Sequence, residues 1–210
     1  MAPLGERGLD ALREIFNIGA GSAATSLSQM LGGERVSVEV PNIQIIPTSG
    51  VPMALGGGKR IVCAVGFTIS GGLDARLLLI LEQSSARRLA AVLLGRPLPA
   101  DDERSTAGLD DAERSALDET GNILASSFVG GLGKLTNRRI MPSVPSSGFD
   151  DVAIVVDAIL ANLGSSSLES IVCRTDFTTR GTRIQGHLLL LPDRQSLSAI
   201  LSALGVDPST

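Results

Sequence analysis

An α+β fold of two related halves, with helices covering an antiparallel sheet, is what three features of this 210-residue sequence predict. The first is a repeated polar pattern. Asp10, Glu14 and Asn17 recur as Ser115, Glu119 and Asn122, with Glu and Asn both at an offset of 105. The second is a repeat of apolar segments: Ile61, Val62 and Cys63 recur as Ile171, Val172 and Cys173, and Leu94-Gly95 as Leu204-Gly205, all at an offset of 110. The third is a hairpin pattern, in which RIVCAVGFTI and ARLLLILE flank Gly71 and Gly72. The repeats are expected to cover about residues 1–100 and 108–210, to share one core and to form a single domain with pseudo-twofold symmetry.

Taken in order, the first half reads as a helix over about 6–18, a second over about 22–31 and a strand over about 35–46, then an irregular Pro/Gly stretch. The hairpin follows, and a helix opening near Gln83 is ended by Gly95, Pro97 and Pro99. PLPADDERSTAGLDD is a polar linker with the boundary near 100–108. The second half repeats this order, so each half is expected to supply three strands and three helices. An insert of about five residues between Pro145 and the second hairpin breaks the symmetry. There the first half has VPMALGGGK and the second has FDDVAIVVDAILANLG, an amphipathic helix over about 150–163. Asp151 and Asp157 take its polar positions, with Val152, Ile154, Val155, Ile159 and Leu160 beneath. An acidic helix confined to one half is a candidate docking surface.

At 100° per residue, Asp10, Glu14 and Asn17 fall on one stripe of a helix, opposite Leu9, Leu12, Ile15 and Phe16. In the second copy Ser115, Asp118, Glu119 and Asn122 form the polar stripe, and Leu117, Leu124 and Phe128 the apolar one. Glu and Asn at i and i+3 are neighbours on the surface. With no His, Cys or Ser nucleophile beside them, a carboxylate and an amide do not favour covalent catalysis. They can position: an amide offers both a donor and an acceptor, enough to hold a water against a scissile group.

An acid or hydroxyl, three residues, Glu, two residues, Asn and then twenty-two residues to Pro resembles the signature of the CheC, CheX and FliY family of response-regulator phosphatases. Ser115, Glu119, Asn122 and Pro145 fit it without a gap, whereas the first copy carries twenty-three residues between Asn17 and Pro41. The stretch LDALREIFNIGAGSAATSLSQML is similar to the opening of the family's CheC members, and the resemblance spans nearly the whole chain. It implies a CheC-like fold and hydrolysis of the phospho-aspartate of a CheY-like receiver domain, in the cytoplasm. Glu14, Asn17, Glu119 and Asn122 would be catalytic, with Asp10 and Ser115 in support. Each Glu would pair with a receiver Lys and each Asn would orient the attacking water. Mg²⁺ would come with the phosphorylated substrate, so the chain would need no cofactor or metal of its own. The second centre is favoured by its spacing. A further implied partner is the receptor deamidase CheD, with Asp151 and Asp157 as its contact residues. A non-catalytic adaptor that binds the phosphorylated regulator or CheD is the alternative.

Composition narrows the rest. A net charge of -4, a pI near 5.0 and 2% aromatic residues argue against nucleic acid as a partner, which needs clustered cations and stacking surfaces. The longest apolar runs, Leu77–Leu81 and Leu188–Leu191, fall far short of about 20 residues, so no membrane span is expected. The opening MAPLGERGLD does not resemble a secretory signal. Cys63 and Cys173 read as small buried hydrophobes in equivalent strands, and His187 as a surface residue at a strand end. Gly19, Gly21 and Ala24 match G-x-G-x-x-A but follow a helix, which favours a turn between helices over a nucleotide site. GGGK at 56–59 reads as a flexible loop, and Pro41 and Pro145 as residues that set strand entry.

Overall fold

A computed structural model describes residues 6–57, 60–99, 108–163 and 169–205, with side chains placed in all of these except 6–7 and 159–163. Helix α1 (Glu6–Met30) leads into strand β1 (Val36–Pro47), a 3-10 turn (Thr48–Gly50) and the single turn α2 (Val51–Ala54). The hairpin β2 (Ile61–Ser70) and β3 (Ala75–Glu82) and helix α3 (Gln83–Leu93) complete the first half. The second half runs α4 (Asp111–Thr136), β4 (Met141–Pro142), β5 (Ser146–Asp151), α5 (Val152–Leu163), β6 (Glu169–Thr179), β7 (Thr182–Pro192) and α6 (Arg194–Ala203). The linker residues 101–107 and the loop residues Gly58 and Lys59 lie outside the described residues.

Among the described residues the seven strands form one antiparallel sheet, ordered β1-β6-β7-β3-β2 with β4 and β5 both on the far side of β2. Read from either edge the order is the same, with β1 answering to β4/β5, β2 to β6 and β3 to β7. The pseudo-twofold therefore passes between β3 and β7, which pair from Ala75↔Pro192 to Ile80↔His187. Alternation along the strands sends odd-numbered β3 residues such as Leu77 and Leu79 into the main core beneath α1, α3, α4 and α6, and Leu78 and Ile80 into a smaller core beneath α2 and α5. The molecule is thus three layers deep, with α1 and α4 on one face and α5 on the other.

Several sequence expectations are corrected. The two helices over 6–18 and 22–31 are one continuous α1, so G-x-G-x-x-A lies inside a helix and not at a turn. Gly19 serves packing there: a Cβ at that position would stand 3.0 Å from Phe128 Cδ1 and 3.3 Å from the Ser127 carbonyl. The insert in the second half forms α5, against which the first half has only the four-residue α2. The strand after α4 is split into β4 and β5, so the second half has four strand segments and not three. Pro41 sits within β1, at a bulge, and Pro145 just precedes β5. His187 lies inside β7 and is half-buried, its imidazole pushed toward the neutral form by burial and by Arg174.

Candidate functional site

Both polar stripes ride on long helices that cross each other. Gly19 meets Phe128 and Gly131 meets Ile15, so residue numbers fall along α1 as they rise along α4 and the two run antiparallel. The Phe16 and Phe128 rings, 5.2 Å apart between centroids, pin the crossing. α4 starts where its sequence dictates: Asp110 accepts from the Glu113 N–H at 2.8 Å while Glu113 Oε2 accepts from the Asp110 N–H at 2.9 Å. Arg96 also pairs with Asp110 at 2.6 Å. The Glu113 amide first, and then Arg96, hold the Asp110 carboxyl below the usual carboxylate range. Asn137, left-handed at φ 51°, closes the helix.

In each helix the Glu is exposed and the Asn half-buried beside it, so the sequence places Glu14 with Asn17 and Glu119 with Asn122 as expected. The surroundings of the two amides differ. Asn17 Oδ1 accepts a hydrogen bond from the Val40 N–H at 3.1 Å. That N–H is available because β1 carries a bulge: Glu39 pairs with Asp176 and Asn42 with Arg174, which leaves Val40 and Pro41 opposite Thr175 alone. The bulge takes up one residue, matching the one extra residue between Asn17 and Pro41. Asn122, by contrast, has no side-chain hydrogen-bond partner among the described residues. Val144, which precedes Pro145 as Val40 precedes Pro41, is 83% exposed, against 1% for Val40. There the strand is broken, with Ser143 bound to Thr68 through its N–H at 2.8 Å and its hydroxyl at 3.0 Å.

The helices also approach the sheet differently. At the residue before the Asn, α1 has the buried Phe16 and α4 has Gly121, where a Cβ would stand 2.8 Å from Val65 Cγ1. Gly121 thus lets α4 lie directly on β2. Sequence reasoning missed both Gly121 and Val40; the unequal Asn-to-Pro spacing was the signal that could have found Val40. Of the supporting residues, Asp10 pairs with Arg13 at 3.0 Å and Ser115 is exposed. Asp118 leaves the polar stripe. Its Oδ1 is buried without a hydrogen-bond partner, and it lines a cavity of about 70 Å³ with Cys63, Arg114 and Phe149. Burial, with Asp118 adding to it, pushes the Cys63 thiol up to about 12, and burial raises the Cys173 thiol well above its ordinary value; both behave as hydrophobes.

The two acids of α5 are not equivalent. Asp151 Oδ1 accepts from the Ala153 N–H at 2.9 Å and so caps the helix, whereas Asp157 is exposed on its surface. Val152 and Val156 are buried beneath α5, but Ile154, expected beneath it, is 55% exposed; the side chains of Ile159 and Leu160 lie outside the described residues. Among the described residues no group of three or more His, Cys, Asp or Glu side chains is placed to hold a metal, and no helix is long and apolar enough to cross a membrane.

Comparison with known proteins falls on the same features. A family model described as the CheC-like family matches residues 8–45 and 113–148, the two stretches that run from each Glu/Asn helix through its Pro. The CheY-P phosphatase CheC of Bacillus subtilis is 30% identical over 202 residues, covering 95% of both chains. The flagellar motor switch phosphatase FliY of the same organism is 29% identical over 71% of this chain and 37% of its own. Among solved structures, Thermotoga maritima FliY superimposes with a TM-score of 0.75 at 20% identity, covering 98% of each chain, which fixes the fold.

Proposed function

The chain belongs to the CheC-like family, and on that premise we propose that it hydrolyses the aspartyl phosphate of a CheY-like receiver domain, with the second centre carrying the chemistry. One observation carries the choice of centre. Among the described residues the Asn122 amide has no hydrogen-bond partner and stands beside an exposed Glu119, whereas the Asn17 oxygen is held by the Val40 N–H.

Glu119 docks by accepting a charge-assisted hydrogen bond from a receiver Lys, a contact of about 1.5–3 kcal/mol. Docking brings Asn122 to the phosphoryl group. Its Oδ1 accepts from the attacking water, and its Nδ2 donates to a phosphoryl oxygen, which fixes the water in line. The water oxygen bonds to phosphorus as the bond from phosphorus to the Asp oxygen breaks, giving inorganic phosphate and the free receiver carboxylate. The Mg²⁺ carried by the phosphorylated receiver is part of the substrate and neutralises the phosphoryl charge. Asp10, already paired with Arg13, and Ser115 stand one helical turn from their Glu residues and support docking.

The test is phosphate release from a phosphorylated CheY-like protein with and without this chain. Acceleration is expected, lost in Asn17→Ala/Asn122→Ala and in chelator. Unchanged activity in the double variant sinks the catalytic reading, and slowed release would instead mark a sequestering adaptor.

A second reading rests on α5. An exposed Ile154 beside an exposed Asp157, on a helix that the first half lacks, suits docking of a CheD-like partner. Asp157→Lys should abolish that association in a pull-down and leave phosphatase activity intact, because α5 packs on the face of the sheet opposite α1 and α4. Retention of the partner at wild-type strength would refute it.

A further inference from the structure

We propose that the cavity between α5 and the β2–β5 edge of the sheet binds a small organic carboxylate bearing a short apolar chain. Its volume is about 330 Å³, at the lower end of the range of small-molecule sites. The strand registers set its floor. Arg76 pairs with Thr68, and two residues further along β3 Leu78 pairs with Gly66, which in turn pairs with Ser146 of β5. One more step brings Ala64 opposite Gly148. Residues two apart share a face, so these rows line the side of the sheet opposite α1 and α4. They grade from polar at Arg76 and Thr68 to apolar at Leu78 and Ala64, with Val155 and Ala158 of α5 above. A Cβ at Gly148 would meet nothing within 4 Å, so no local side chain fills that end.

The polar end is built for an anion. Arg76 is half-buried, and among the described residues its guanidinium has neither an ion-pair nor a hydrogen-bond partner. Arg60, Arg96, Arg174, Arg180 and Arg183 all pair with carboxylates. No acidic side chain among the described residues lines the cavity to neutralise Arg76. Its fork of donors matches a carboxylate, and the exposed hydroxyls of Thr68 and Ser146 stand ready to donate beside it. Inorganic phosphate or acetate would use the polar end alone. A chain of a few methylenes would also cover Leu78, Ala64 and Val155, and each methylene removed from water strengthens binding several-fold.

The test uses the full chain and direct binding, by calorimetry or ligand-observed NMR, so its outcome is independent of the phosphatase reading. Hexanoate should bind saturably at one site, at least about tenfold more tightly than acetate or inorganic phosphate. Arg76→Gln should weaken hexanoate about tenfold or more. Gly148→Leu, whose added side chain would fill the open apolar end opposite Ala64, should weaken hexanoate more than acetate while Arg76 stays in place. Circular dichroism and a thermal melt establish that each variant is folded. Absence of saturable hexanoate binding by the wild-type chain overturns the proposal. So does equal binding of all three probes, which would mark mere attraction to a cation, and so does wild-type hexanoate affinity in either folded variant.

Discussion

The two Glu/Asn centres share a sequence pattern and a helix register, yet one is built into the sheet and the other stands open. Asn17 holds the Val40 N–H inside a bulged, buried segment of β1; Asn122 has no side-chain partner among the described residues, and the strand equivalent to β1 is broken at an exposed Val144. The difference begins with one residue. The bulge that absorbs it frees a backbone donor, an unpaired buried donor is costly, and the nearest amide satisfies it. What a duplicated side chain can do is therefore decided by the backbone it faces as much as by its own chemistry.

Substitutions at the two centres should act unequally. Glu119→Ala should weaken receiver binding about ten- to hundredfold, measured by titration with a receiver held in its activated form, and Glu14→Ala should change it much less. Equal losses would mean that both centres dock. The next effect runs the opposite way. Asn17→Ala should lower folding stability by about 1–3 kcal/mol, because the Val40 N–H is left buried and unsatisfied, whereas Asn122→Ala should stay within about 0.5 kcal/mol of wild type. Denaturant unfolding of the pair decides it. The smallest effect concerns the helix that carries the open centre. The folded-state value of Asp110 is depressed, so its capping stabilises α4 above the ordinary carboxylate range and is lost as pH falls through that depressed value. An Asp110→Ala variant should therefore show a shallower loss of stability between mildly acidic and strongly acidic pH than wild type, and parallel curves would contradict the cap.

Much of this was legible in the chain. Two near-continuous apolar runs flanking Gly71 and Gly72 pointed to the β2–β3 hairpin, and the offset of 110 placed Cys63 and Cys173 in strands that are equivalent and buried. The stripe of Glu and Asn on α1 and α4 followed from helical periodicity alone. Three things did not. Gly19 and Gly21 read as a break because glycine is a poor helix former, but the close approach of α4 at Phe128 favours glycine inside α1. Asp118 read as surface because its angular position abuts the polar stripe; the cavity beside Cys63 draws it inward. The capture of Asn17 depends on a hydrogen bond across 23 residues to a bulge, and a bulge is a property of strand pairing that no local pattern encodes. Its only trace was the unequal spacing to Pro41 and Pro145.

If the open amide does the chemistry, single-turnover phosphate release from a phosphorylated CheY-like protein, at saturating concentrations of each folded variant, separates the two centres. Asn122→Ala should slow release by about a hundredfold, on the scale of losing one positioned polar group in a transition state, while Asn17→Ala, compared below its melting range, should stay within about threefold of wild type. A large loss in Asn17→Ala with near-normal release by Asn122→Ala would contradict that role for Asn122.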